Sequence, residues 1–432
     1  MRKQKTDTES QFMPEKSLKE LFVQSHDRGC VGLPVMSLSM SRGLVPRNQD
    51  ERRVETNLSD EQHRLVRAGE LAYNMMRMWQ GVCSLAEEDC LVSPAYIVVR
   101  PLKGMDSKFS EYLLTYEETV TKFKRLSFGV VDDRLRLYFK DFERVRVRTP
   151  SHPVQRKIAR ILTTLDNLIE KTESLIAKYQ AIKQGMMHDL FTRGVDAHGH
   201  LRPPQAEASD IYKKSQLGWI PKDWETCRVD EVGSVKLGRQ RSPKHQSGRF
   251  TTPYLRVANV FDGSIDYSDV LEMDFTPTEK ESYSLLPGDV LLNEGQSLEL
   301  VGRSAIYEGE PHRFCFQNTL IRFRAYPPND PRFCRGIFKY YIDIGRFMTI
   351  ARQTTSVAHL GADRLAKLAF PRPHPDEQLR IAKALLQHEK RCDLDREYKK
   401  NLVQLKTGLM QELLTGKVRV MVDEAEEVAA HV

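Results

Sequence analysis

The chain has 432 residues, is 40% hydrophobic and 29% charged, and carries a formal net charge of +7. That length exceeds one ordinary core and predicts at least two domains, while no run approaches the ~20 apolar residues of a membrane span. Seven scattered cysteines without a CxxC pair, behind a start (Met1-Arg-Lys-Gln) with no apolar export segment, lead us to expect a cytoplasmic protein without a disulfide frame or zinc site.

Residues 1–16 are polar and read as a disordered lead-in. A first globule is expected over residues 17–150. Within it Leu33–Ser39 reads as a strand before a turn at Arg42-Gly43, Leu65–Asn74 as a turn and an apolar strand, and Tyr96–Arg100 as another strand. Leu113–Leu126 is predicted helical, and Phe142–Val147 alternates like a strand before Pro150. A long helix follows over 151–195, then residues 196–216, polar and Pro-rich, which read as a linker. Leu217-Gly-Trp-Ile-Pro-Lys-Asp-Trp224 opens a second globule over 217–373, a second long helix covers 374–420, and 421–432 form an acidic tail. The fold class expected is α+β.

The two helical stretches repeat one another. Gln155/Gln378, Ile158/Ile381, Leu162/Leu385, Lys183/Lys406, Gly185/Gly408, Met187/Met410 and Leu190/Leu413 keep a constant offset of 223 positions. Pro153 and Pro375 stand where a missing N–H does no harm, and Gly194 and Gly416 where a left-handed cap is easy. In the first stretch Ile158, Leu162, Leu165, Ile169, Thr172, Ile176, Tyr179, Lys183, Met186 and Leu190 alternate spacings of four and three, a heptad seam. The second reads as a rougher seam of Leu385, Leu394, Tyr398, Leu402, Leu405, Leu409 and Leu413, interrupted by Asp393, Asp395 and Lys399. Antiparallel pairing of the two helices, each roughly 55–60 Å long, is expected; two surface helices packed on their own globules are the alternative. Gly185 and Gly408, costly inside helices by ~1 kcal/mol each, read either as tolerated defects or as points of close approach for another helix. The globules repeat more loosely: Pro34 matches Pro253 and Gly69–Asn74 matches Gly288–Asn293, with dissimilar loops between.

No catalytic constellation survives inspection. There is no phosphate-binding GxxxxGK[ST] loop, HExxH or GxSxG, and Tyr326-Pro-Pro-Asn-Asp-Pro331 holds the letters of an adenine-methyltransferase loop in the wrong order. Basic windows are more informative. No acid lies between Asp27 and Asp50, where Arg28, Arg42 and Arg47 fall, nor between Glu231 and Asp262, where Lys236, Arg239, Arg241, Lys244, His245, Arg249 and Arg256 fall. Such patches neutralise phosphates, and Arg, Asn and Gln within them can read base edges. The candidates for DNA contact are Arg42, Arg47, Asn48, Gln49 and Arg77 in the first globule, and Arg239, Gln240, Arg241, Lys244, Arg256, Asn259 and Gln296 in the second. Trp79 is read as packing rather than as a wedge between bases, and Thr354–Gly361 as a weaker, loop-borne candidate.

The layout resembles the specificity subunit of a type I restriction–modification system. The resemblance rests on Pro375-Asp-Glu-Gln-Leu-Arg-Ile-Ala382, on Leu405-Lys-Thr-Gly-Leu-Met-Gln-Glu-Leu-Leu-Thr-Gly-Lys417, on their echoes at Gln155 and Lys183-Gln-Gly-Met-Met-His-Asp-Leu190, and on Leu217–Trp224. It implies two target recognition domains, each reading half of a split site in double-stranded DNA, and two spacer helices forming an antiparallel coiled coil. It implies a non-catalytic chain that docks two methyltransferase subunits and, in a restriction complex, motor-nuclease subunits. Gly185, Met187, Leu190, Gly408, Met410 and Leu413 are then the expected docking residues. No cofactor is expected on this chain: S-adenosylmethionine, ATP and Mg²⁺ would belong to the partners, and no membrane is involved. A structural coiled-coil adaptor or non-specific DNA binder is the competing reading. Two departures stand out. The first helix opens His152-Pro-Val-Gln155, without a counterpart of Glu377, and the first globule lacks an opening like Trp219 and Trp224.

Overall fold

The computed structural model describes residues 12–40, 42–47, 58–129, 135–242, 248–353 and 357–422. Asn48, Gln49 and Lys244, most of the expected lead-in and nearly all of the acidic tail lie outside the described residues. The chain is α+β, as expected, and forms two compact units, Met1–Glu173 with Glu397–Val432, and Ser174–Arg396. No helix among the described residues is long and apolar enough to cross a membrane.

The first unit is built on a four-stranded antiparallel sheet in the order β2 (Phe22–Ser25), β9 (Tyr96–Pro101), β6 (Leu71–Asn74), β7 (Cys83–Leu85). Leu71–Tyr73 of β6 are all buried because both faces of the sheet are covered. Leu71 and Tyr73 enter one core with Val99 and Phe142, and Ala72 enters a second with Val66, Val92 and Val98. Beside it lie the hairpin β3 (Met36–Ser39) with β4 (Gly43–Pro46), the pair β5 (Arg64–Val66) with β8 (Cys90–Val92), and β1 (Glu15–Ser17) with β10 (Arg146–Arg148). The helix expected over Leu113–Leu126 is two helices, α1 (Ser107–Thr115) and α2 (Glu117–Leu126), broken at the extended Tyr116. The strand expected from Phe142 is a helical turn, α3 (Phe139–Phe142), followed by β10. Phe142 stacks there on Tyr73 and Phe123, so core packing overrides the alternating pattern.

The second unit repeats this scaffold. Its sheet runs β14 (Gly233–Leu237), β21 (Leu320–Ala325), β17 (Val290–Asn293), β19 (Ser304–Ile306), again wholly antiparallel. β13 (Glu225–Arg228) pairs with β24 (Ala369–Arg372) as β1 pairs with β10. β15 (Thr251–Leu255) runs antiparallel to β16 (Leu271–Asp274) and parallel to β20 (Cys315–Phe316). The stretch read as a linker is ordered. It forms the hairpin β11 (Tyr212–Ser215) with β12 (Gly218–Pro221), and the buried Tyr212 donates to Pro203 O at 2.6 Å.

The long helices are α4 (His152–Thr192) and α10 (Pro375–Leu414), and Gly194 and Gly416 follow them with φ of +65° and +75°. Gln155 and Gln378 do the same work at their starts. Gln155 Oε1 accepts from Asp106 N at 2.9 Å and its Nε2 donates to Pro150 O at 2.9 Å. Gln378 accepts from Asp330 N at 3.0 Å and donates to Pro373 O at 3.0 Å. Asp106 and Asp330 in turn cap α1 and α7 (Pro331–Asp343), with Phe109 N and Phe333 N as donors. Each glutamine thus fastens its helix to its own globule through backbone groups.

Within each unit the helices pair antiparallel. In the first, Lys406 meets Asp166 at 2.5 Å and Lys399 meets Glu173 at 2.7 Å. In the second, Lys183 meets Glu389 at 2.8 Å and Tyr179 stacks edge-on against His388. The α4 seam lies where expected, buried or half-buried from Ile158 to Leu190. The α10 seam does not. Leu394, Tyr398 and Leu405 are exposed, while Leu385, His388, Cys392, Asp395, Lys399, Leu402, Lys406, Leu409 and Leu413 are covered at unbroken spacings of three and four. Asp395 and Lys399, read as interruptions, are seam positions; the strict period, rather than the choice of apolar letters, marks the inner face.

Candidate nucleic-acid interface

In the first unit Arg42 and Arg47 flank β4, the former exposed and the latter half-buried. Arg77 is exposed where the chain enters a short 3-10 turn, Met78–Gln80, that closes on Gly81 with φ +80°. Trp79 is packed, as expected. Its Nε1 donates to Met76 O at 2.9 Å, and the Lys124 ammonium sits 5.7 Å from its ring centre.

The basic window of the second unit divides. Arg239 is 8% exposed, pairs with Glu279 at 2.7 Å, lies over the Phe275 ring and donates to Asp274 O. Burial pushes the Glu279 carboxyl up, but hydrogen bonds from Thr276 and the Arg239 charge outweigh it and leave it below the ordinary value. Asn259 is 2% exposed, and its amide donates to Asp266 O and Asp269 O at 3.0 and 2.9 Å while its oxygen accepts from Arg256 N. Arg256 is itself paired to Asp269 at 2.6 Å. Lys236 lies 4.5 Å from the Tyr283 ring centre and bonds Ser282, and burial, then Arg322 and Arg324, lower its pKa. Arg239 and Asn259, expected at the DNA surface, therefore belong to the inside of the unit. An acid-free window looks unpaired only along the sequence; Glu279 and Asp269 arrive from outside it. Gln240, Arg241 and Arg249 remain exposed.

Gln296 is half-buried in β18 (Gly295–Gln296). Part of the stretch expected as a loop over Thr354–Gly361 forms β23 (Ala358–His359), which joins β18 and β22 (Arg352–Gln353) in one small sheet. Arg352 and Gln353, both exposed, were missed in the sequence because a two-residue strand has no pattern of its own.

A charge network ties the second globule to the helices of its own unit. Arg335 of α7 donates to Glu389 of α10 and to Asp262, both at 2.8 Å, and Lys339 reaches Asp262 at 3.5 Å. Burial raises the Glu389 pKa, but the Arg335 charge and the Lys183 hydrogen bond prevail and hold it below the ordinary carboxylate value. In the first unit the matching acid, Asp166, takes a hydrogen bond from Tyr112 of α1 at 2.6 Å.

The docking residues also divide. A Cβ on Gly185 or Gly408 would meet nothing within 4 Å, and both positions are exposed. Met187 and Leu190 lie in the main core of the second unit and Leu413 in that of the first, with Met410 packed against it. Beside the glycines, Ile182 and Leu405 are 46% and 50% exposed and occupy matching positions. Among the described residues, no group of three or more His, Cys, Asp or Glu is arranged to hold a metal ion.

A duplicated α+β scaffold with paired long helices and divergent basic loops defines a class, and comparison with known sequences agrees. The family described as Type I restriction modification DNA specificity domain matches residues 75–179 and 221–404, more than half of the chain. The chain belongs to this family, whose role is DNA sequence specificity and not catalysis. It is similar to the type I restriction enzyme MjaVIII specificity subunit of Methanocaldococcus jannaschii, 26% identical over 369 residues, 80% of this chain and 79% of the relative. In fold it is similar to the S subunit of a type I restriction–modification system from M. genitalium, with a TM-score of 0.55 at 14% identity over 95% of this chain and 97% of that one. A chain from a structure of type I R-M system assembly and conformational transition is alike at TM-score 0.54 and 13% identity, over 94% and 98% of the two chains.

Proposed function

We propose that the chain reads a bipartite site in double-stranded DNA, one half with each globule, and directs partner subunits to it. The observation that carries this is one sheet-and-helix scaffold present twice, with different surface loops on each copy. A scaffold repeated for packing alone would not need divergent, cation-bearing loops such as those at Arg77 and Arg241. The helices' outer faces support docking of two methyltransferase subunits. Ile182 with Gly185 and Leu405 with Gly408 are equivalent, exposed and open to a close approach. S-adenosylmethionine, and the ATP and Mg²⁺ of motor-nuclease subunits, belong in this reading to the partners. In this reading the chain works with its partners in the cytoplasm.

The test is to express the chain with its methyltransferase subunits in a host lacking other adenine methylation and to map the modified adenines. A split motif is expected, and replacing residues 17–150 with those of a relative should change one half of it. A change in both halves, or in neither, would defeat the reading.

A further inference from the structure

Between α8 (Arg346–Ile350) and α9 (Ala362–Ala366) the second unit carries a feature, built on β22 and β23, that the described residues of the first unit have in the matching place, between α2 and α3, only as the single antiparallel bridge Phe128–Arg136. Its third strand, β18, follows β17; after β6, the strand that matches β17, the first unit has the 3-10 turn Met78–Gln80, and Leu137 N donates to Met75 O as Leu360 N donates to Glu294 O. The feature is the antiparallel sheet β18–β23–β22, in which Gly295 and Arg352 both oppose His359, and Gln296 and Gln353 both oppose Ala358.

Opposed residues of antiparallel strands share a face. The face with Ala358 is turned inward, since Ala358 is fully buried in the main core of the unit. The other face presents Gly295, His359 and Arg352. Arg352 is exposed and forms no ion pair among the described residues. His359 is 44% exposed, and its Nδ1 lies 2.9 Å from Glu294 Oε2, so the ring is held while Nε2 stays available to an outside partner. Gly295 adds no side chain to the face, as suits a place where another molecule comes close to the backbone. The surrounding sequence is cationic, with Arg346, Arg352, Arg364, Lys367 and Arg372 against Asp363 alone from Ile344 to Arg372, although Arg372 pairs with Glu225 and Arg364 donates to His359 O.

A two-stranded ribbon is one of the elements that the major groove of B-DNA admits, and the fork of an uncommitted arginine matches guanine O6 and N7. We infer that the ribbon β22–β23 enters the major groove of the half-site read by the second unit, with Arg352 donating to both acceptors of one guanine and His359, oriented by Glu294, as a second polar contact. This rests on the proposed function and adds the reading element and its residue. A phosphate contact by Arg352 is the competing role, and lysine separates the two, since it keeps the charge but lacks the fork.

The experiment uses the assembled complex with its methyltransferase subunits, carrying Arg352→Ala or Arg352→Lys, with modified adenines mapped in the host genome and each variant's thermal unfolding recorded. Both variants are expected to lose discrimination at one G·C position in one half of the motif, by roughly 10- to 100-fold, with the other half unchanged. Where alanine disturbs the sheet, the lysine variant alone decides. If Arg352→Lys keeps the full motif while Arg352→Ala lowers modification at all sites alike, the contact is to phosphate and the inference is overturned. An intact wild-type motif that neither variant alters overturns the inference alone; a wild-type complex with no motif overturns the proposed function and the inference together.

Discussion

In the second unit the first turn of α10 carries Glu377, buried, accepting from Val195 N at 2.8 Å, Trp224 Nε1 at 3.1 Å and Arg202 at 2.5 Å. At the matching place in the first unit α4 carries Val154, buried in an apolar core with Leu413. A side chain on Gly194 would collide with Glu377, Arg202 and Trp224, whereas one on Gly416 would collide with Met13. The two departures noted in the sequence, no counterpart of Glu377 and none of Trp224 in the first half, are therefore one departure: the carboxylate is present only where its donors are. Gln155 and Gln378 show the converse. They bind backbone groups that every copy of the scaffold possesses, and they are the same residue in both. What the copies share is what holds the shared backbone; what they vary answers to the local chain.

Removing Glu377 gives the largest effect. Glu377→Ala strands the Trp224 and Val195 N–H groups and leaves Arg202 with only Asp223 and the Arg193 carbonyl, and should cost about 3–5 kcal/mol in urea unfolding. Val154→Ala should cost about 2 kcal/mol. Equal losses would end the contrast between a polar clamp and an apolar one. Next, Gln155→Ala and Gln378→Ala should each cost about 1–3 kcal/mol, and a clear difference between them would show that the helix anchors are not equivalent. Glu389→Gln should cost about 1–2 kcal/mol near neutral pH. Because the folded pKa of Glu389 is depressed, its contribution is present above the unfolded value near 4.5 and fades as pH falls through the folded one. The variant and the parent should therefore converge in acid, and a gap that is constant with pH would remove the charge from the account. Smallest, Gly185→Ala and Gly408→Ala should each raise stability by about 0.5–1 kcal/mol, since neither Cβ meets anything. Both should weaken copurification with the methyltransferase subunits, and unchanged assembly would discard the docking patches.

Much of this was legible in the sequence. The constant offset between the helices survives as paired hydrogen-bonding roles, and the match of Gly69–Asn74 to Gly288–Asn293 survives as β6 and β17, central strands of two sheets with the same order. Periodicity and terminal Pro and Gly are local properties, so the chain displays them openly. Three things were hidden for one reason, that they depend on partners distant in sequence. Arg239 and Asn259 looked like surface readers because Glu279 and the carbonyls of Asp266 and Asp269 cannot be inferred from the window itself. The seam of α10 was misread because Lys406 and Lys399 look out of place until Asp166 and Glu173 stand opposite. Arg352 escaped notice because a two-residue strand has no pattern of its own.

The cross-helix pairs carry one more consequence. Lys183 and Lys406 occupy equivalent positions, and so do Asp166 and Glu389, so each helix owns both a cation and the anion that answers it. The charge pattern is palindromic: an antiparallel pair made from two copies of α10 would set Lys406 of each copy on Glu389 of the other. The third pair breaks the pattern: Lys399 answers Glu173, but α10 has Arg396 at the place of Glu173 and α4 has Ile176 at the place of Lys399, so this pair alone requires two unlike halves. The covalent join between them is what makes this molecule a heterodimer in a single chain.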